Sequence, residues 1–221
     1  MPLKKEINMK KIILFTLIFI SSCYYDYNMN SEVVQTKQVN DGWQPNEVIK
    51  SKQNMRLSPE FRSTSIYREG TTPSDFVYRY FYDGSGSISW DDTYSSILYS
   101  FDHKKDKMDD IEKSSISSKY FLFFYKNKKI SSICIFSHDF PYRKAKIRLD
   151  NGPVITTDYD GCISPKYFNN FLKADKVLVR YYVFPYDYYR EGEESLIGLK
   201  DADDLLKFIG KNINKLSFDL Y

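Results

Sequence analysis

Residues 120–136 read Tyr-Phe-Leu-Phe-Phe-Tyr-Lys-Asn-Lys-Lys-Ile-Ser-Ser-Ile-Cys-Ile-Phe. The first six, Tyr120 to Tyr125, are apolar and bulky, and they end at a lysine. That run is too short for a buried helix and has the length of a central strand. Asn127-Lys128-Lys129 is a polar break that turns the chain back into Ile130 to Ser137, so the stretch reads as a β-hairpin. A hairpin with an aromatic first arm commits the surrounding chain to an antiparallel sheet.

Working outward, the same pattern recurs on both sides. Phe76 to Tyr82 is β-rich and stops at Asp83-Gly84, a turn signal. Tyr94 to Phe101 is a second strand, followed by a polar connection over Lys104 to Asp110. Lys144 to Leu149 alternates polar and apolar, as a strand with one wet face does. Asp150-Asn151-Gly152-Pro153 is a turn into Val154 to Thr157. Asp175 to Phe184 and Ser195 to Leu199 read as later strands, and Leu216 to Leu220 as a last one.

Two helices interrupt them. Ser164-Pro165 is an N-cap and first-turn pair, with Tyr167, Phe168, Phe171 and Leu172 at helical spacing. Asp201 to Ile213 is amphipathic with an acidic first turn. The fold class expected is mainly β with two helices (α+β), an antiparallel β-sandwich or rolled sheet. Twenty Tyr and 16 Phe against nine Gly agree with that, because aromatic side chains suit a pleated surface.

The N-terminus has a different logic. Lys10-Lys11 precede nine uncharged residues, Ile12 to Ile20, which would rise about 14 Å as a helix. That falls well short of the roughly 30 Å of a bilayer core. The layout is that of a cleavable export signal. Ile20-Ser21-Ser22-Cys23 closes it. This segment resembles the bacterial lipoprotein signal, and the resemblance implies diacylglycerol attached to the Cys23 thiol and cleavage just before it. Several acyl chains hold a protein where one would be marginal. Tyr24, standing where an aspartate would retain a lipoprotein in the inner membrane, implies the outer membrane.

The expected organisation is a signal over residues 1–22, a lipidated flexible tether over 23–75, and a globular domain over 76–221. The tether is rich in Asn, Ser, Gln, Thr and Lys and punctuated by Pro45, Pro59 and Pro73. Its alternative is an edge strand at Glu32 to Val39 or Phe61 to Tyr67. Four of the 32 basic and one of the 29 acidic residues lie in 1–22, which leaves 28 of each in the rest. That balance removes the electrostatic argument for nucleic acid.

The order Met108-Asp109-Asp110, Tyr120 to Tyr125, Ile130 to Phe136, Arg148-Leu149-Asp150, Tyr167 to Ala174, Val177 to Arg180 and Leu196-Ile197-Gly198-Leu199 resembles a group of small exported proteins associated with type VI secretion, the TagO or VasI-like family. It covers roughly residues 90–213. It implies a role accessory to a secretion machine. The family's cysteine near the end of the apolar strand is replaced by Cys134 on the next strand, and no terminal cysteine exists.

Candidate chemistry is sparse. Cys134 and Cys162 are the thiols left after lipidation. In an oxidising compartment they either bridge or stay buried and free. Cys134 and His138, four apart, offer a thiol nucleophile with its base, the basis of an alternative reading as an envelope-polymer hydrolase. Asp91-Asp92, Asp109-Asp110 and Asp201, Asp203, Asp204 lack the spacing of a calcium loop. No metal and no cofactor is therefore assigned. Arg148, Asp150 and Arg180 are candidates for a buried ion network. Residues 181–190, Tyr-Tyr-Val-Phe-Pro-Tyr-Asp-Tyr-Tyr-Arg, form the most unusual run. Tyr186, Tyr188, Tyr189 and Arg190 are the candidate contact surface for a protein or glycan, unless alternate tyrosines pack inward. The reading that results is a lipid-anchored, non-enzymatic envelope protein; a purely structural surface lipoprotein is its neighbour.

Overall fold

The computed structural model describes strands at residues 34–35 and 48–53, and the chain over 64–216 apart from 92–95, 107 and 186–187; side chains are described from Ile66 onward. Residues 31–221 make one compact unit.

The hairpin at the centre is β8 (Phe121–Lys126) and β9 (Lys129–Ile135). Lys126 pairs with Lys129, so Asn127 and Lys128 are the whole turn. Both have positive φ, 49° and 65°, the backbone that matches a tight hairpin to the strand twist. Asn127 Oδ1 also accepts the Glu112 N–H at 3.1 Å. Phe121, Phe123, Tyr125, Ile133 and Ile135 point inward, as the two-residue period of a strand requires.

Around this hairpin lies a ten-stranded antiparallel sheet. It comprises β1 (Val34–Gln35), β2 (Val48–Gln53), β3 (Thr64–Thr71), β4 (Val77–Phe81), β5 (Gly86–Ser89), β6 (Ile97–Lys105), β7 (Glu112–Ser117), β8, β9 and β12 (Cys162–Ile163). The first nine run as a meander, and β12 closes onto β9. A second antiparallel sheet has the order β11 (Val154–Thr156), β10 (Lys146–Leu149), β13 (Lys176–Tyr182), β14 (Tyr189–Ser195). Ile147, Val177, Val179 and Tyr181 from this sheet join one core with Phe121, Phe123, Tyr78, Tyr80 and Ile88 from the first. The architecture is the expected α+β one: mainly β, antiparallel and sandwich-like, with two helices.

Between β12 and β13 a 3-10 turn (Pro165–Tyr167) runs into the short helix α1 (Phe168–Phe171). Phe171 is fully buried and meets Phe121 and Phe123 edge-on at 5.3 and 5.6 Å. Helix α2 (Leu199–Asn212) buries Leu199, Ala202, Leu205, Leu206, Phe208 and Ile209 and packs on β6 and β7. Asp203 is buried on the same helix, where its carboxylate accepts the Tyr125 hydroxyl at 3.0 Å and pairs with Lys207. Burial beside that carboxylate pushes the Tyr125 phenol far above its ordinary range.

Three expectations change. The tether cannot extend to residue 75, because β3 pairs with β4 from Tyr67 to Thr71 and Tyr67, Arg68 and Glu69 are buried; the edge-strand alternative at Phe61 to Tyr67 covers part of this strand. Ser195 to Leu199 is not a strand. β14 ends at Ser195, Gly198 takes φ 81° as the helix N-cap, and Leu199 opens α2. A left-handed glycine ends an extended run at little steric cost. The polar connection starts later than Lys104, since β6 runs to Lys105 beside β7, a serine-rich strand with little apolar signal. Of the last expected strand, Leu216 to Leu220, residues 217–220 lie outside the described residues.

Candidate functional site

The chain crosses from the first sheet to the second through residues 136–145, and this loop meets the end of the β13–β14 hairpin. Two polar residues fasten them together. His138 is buried. Its Nδ1 accepts the Tyr182 N–H at 3.2 Å, and its Nε2 lies 3.0 Å from the Arg143 carbonyl oxygen. An Nδ1 that accepts leaves the proton on Nε2, which donates to Arg143; both ring nitrogens are spent on backbone. Asp139 does the same beside it. Its N–H donates to the Tyr182 carbonyl, and its Oδ1 accepts the Phe184 N–H at 2.8 Å. The peptide bond between Phe184 and Pro185 is cis. Behind His138 stands Gly161, where a Cβ would lie 2.8 Å from the imidazole.

Over this brace runs a chain of rings. Phe184 lies 5.9 Å from Phe140, Phe140 lies 6.4 Å from Tyr182, and Tyr182 lies 6.5 Å from Tyr189, all centroid to centroid. Their planes are tilted by 52°, 61° and 76°. Arg143 sits over the Tyr182 ring and Arg180 over Tyr189, at 5.8 and 4.4 Å, the arrangement a ring quadrupole favours. Phe184 and Phe136 are 60% and 66% exposed, Tyr188 and Tyr189 about half, and Tyr142 almost entirely. The cluster therefore has two chemically different ends. At the loop end Phe140 meets Phe184; Pro141 and Tyr142 follow Phe140 in the chain, Pro185 follows Phe184, and Phe136 begins the same loop. The strand end carries Tyr188, Tyr189, Arg180 and Arg190, with Arg190 beside the Tyr188 hydroxyl. Tyr181 alternates inward to the core. Tyr186 lies outside the described residues, as does Cys23.

The Cys134 and Cys162 sulfurs are joined, in a cross-strand pair between β9 and β12 with Cα atoms 4.0 Å apart. This corrects the thiol–imidazole reading. Cys134 has no thiolate to attack with, and His138 lies beyond the end of β9 with neither nitrogen free. The proposed buried network of Arg148, Asp150 and Arg180 is also corrected. Arg148 is exposed. Asp150 instead accepts the N–H groups of Asp175 and Lys176 at 3.2 and 3.0 Å. Arg180 pairs with Glu191 at the surface. Among the described residues no group of three or more His, Cys, Asp or Glu side chains is placed to hold a metal ion.

A cleft of about 510 Å³ opens elsewhere, beside Ile97, Leu98, Ser117, Lys119 and Glu194. Its polar groups are used by the fold. Glu194 accepts Ser118 Oγ and the N–H groups of Lys119 and Tyr120 at 3.0–3.1 Å, tying β14 to the turn between β7 and β8. Burial holds its carboxyl above the usual range despite those donors. Glu193 pairs with Lys176. The braced ring cluster, by contrast, presents large exposed aromatic side chains.

No helix of the described residues is long and apolar enough to cross a membrane. No protein-family profile, curated protein or solved structure matches the chain.

Proposed function

We propose that this chain is a lipid-anchored cell-envelope protein with a non-enzymatic binding role, carried on the outer membrane by acyl chains at Cys23. Its strand end, Tyr188, Tyr189 and Arg190, receives an envelope protein or glycan, as an accessory of a secretion machine would. The observation that carries the reading is an exposed tyrosine–arginine surface at the start of β14, beside the braced end of β13. Tyrosine and arginine give large contact area at low entropic cost and dominate binding hot spots. A disulfide between Cys134 and Cys162 suits an oxidising compartment outside the cytoplasm.

The anchor is tested by replacing Cys23 with serine and following maturation and membrane fractionation of the full chain. Loss of both supports the anchor; unchanged processing and membrane retention refutes it. The surface is tested by capture of envelope components on the wild-type chain and on a Tyr188→Ala/Tyr189→Ala variant. Equal capture by both removes the tyrosine pair from the contact.

A further inference from the structure

We infer that the loop end of the ring cluster is a second membrane contact, non-covalent and separate from both the acyl anchor and the tyrosine–arginine end. Phe136, Phe140, Pro141, Tyr142, Phe184 and Pro185 seat in the interfacial layer of a phospholipid bilayer.

Four observations meet there. Phenylalanine has no polar atom to offer a wet partner, yet Phe136 and Phe184 stand mostly out of the fold. Part of the backbone around them is already satisfied. The N–H groups of Tyr182 and Phe184 and the carbonyls of Tyr182 and Arg143 are bonded to His138 and Asp139, and Pro141 and Pro185 have no N–H at all. Those groups give up no hydrogen bond to water on insertion, which lowers the usual obstacle for a loop entering an apolar layer.

The charges fit a phosphate layer. Arg143, over the Tyr182 ring, and the next residue Lys144, over Tyr159, are exposed. Asp139, the acid of this loop, is bonded to the Phe184 N–H, and Glu191 is paired with Arg180; Asp187 lies outside the described residues. Cations at the rim of an aromatic wedge reach headgroup phosphates while their stems stay in the apolar layer. Finally, Phe140 and Tyr182 are tilted by 61° and Phe140 and Phe184 by 52°. Such rings share no flat platform on which a row of sugars could stack. A disordered interface of headgroups and acyl carbons needs none.

The test uses the acylated full chain on phosphatidylethanolamine–phosphatidylglycerol vesicles. Phe184→Trp and Tyr142→Trp each place an indole at the loop end, and the parent chain supplies the Trp43 and Trp90 background. With vesicles, the added emission moves to shorter wavelength. It is quenched more strongly by bromines near the top of the acyl chains than by bromines at mid-chain. Quenching of either indole supports the contact; quenching of neither overturns it. An indole that stays unquenched on vesicles but shifts when solubilised envelope proteins are added assigns this end to a protein partner, and also overturns it. The readout is local to the loop, so a Cys23→Ser chain that fails to become acylated but still shows the quenching separates this contact from the anchor.

Discussion

The Tyr182 N–H, at the last residue of β13, is held by Nδ1 of His138 at 3.2 Å, although the two residues lie 44 positions apart. That bond, with its counterpart from Nε2 to Arg143, makes the crossing loop and the hairpin end one body. Replacing His138 with alanine leaves a backbone donor and a carbonyl without partners. A loss of roughly 2–3 kcal/mol is expected. Urea titration checks it: the midpoint falls with the slope unchanged, because the brace is lost and not the core.

The two sulfurs close a loop across 28 positions. Removing the bond by Cys134→Ser with Cys162→Ser is expected to cost about 3 kcal/mol, in the range for a loop of this size. Alkylation of the oxidised protein without reductant, read by mass, should modify neither sulfur. Two modified thiols would contradict the pairing.

Burial lowers the affinity of His103 for a proton, a larger effect than the nearby Glu112 that opposes it. The unfolded chain therefore binds the extra proton first as pH falls. The stability His103 contributes is present above about pH 6.5 and is lost progressively below it. Glu194 has the opposite sign. Its carboxyl is raised by burial, so its contribution is complete below the ordinary value of 4.5 and is lost as pH rises through its elevated one. Melting temperatures against pH should show a flatter acid limb for His103→Gln and a flatter rise-side decline for Glu194→Gln. Parallel curves for variant and parent would remove the assignment.

Phe171 fills the space between α1 and the β8 rings with no exposure. Phe171→Ala should cost about 3–5 kcal/mol, as large-to-small changes of aromatic residues in cores do. Tyr188→Ala with Tyr189→Ala should cost no more than roughly 1 kcal/mol, since both rings are half in solvent and surface changes are usually small. The same melts compare them; a large loss in the tyrosine variant would place those rings in the fold and not in a contact.

Much of this fold is legible from residue order. The aromatic run over 120–125 and its polar turn give β8 and β9 almost to the residue, because a buried strand and a tight turn are both local patterns. Asp201 to Ile213 lies within two residues of α2 at either end. β7 escapes notice because four of its six residues are Ser or Lys and Ile116 alone is buried. Its place is set by neighbours on both sides, which a short window does not contain. The brace is illegible for the same reason: a histidine that accepts from a backbone N–H 44 residues away leaves no spacing to find. The 181–190 run announces the site, and the Tyr181 to Tyr182 alternation separates core from surface, but the Phe-bearing partner loop at 136–142 looks like an ordinary connection until the two are seen together.

In the large sheet, β1 to β8 each pair with the next strand in the chain, and β12 is the one that arrives from further along. A polypeptide delivered end-first can zip such a meander as it emerges, since each new strand finds its template already in place and closes only a short loop. Cys162 reaches Cys134 only after the β10–β11 excursion has passed. The bond closes the stretch of chain that contains the crossing loop and the rings it carries.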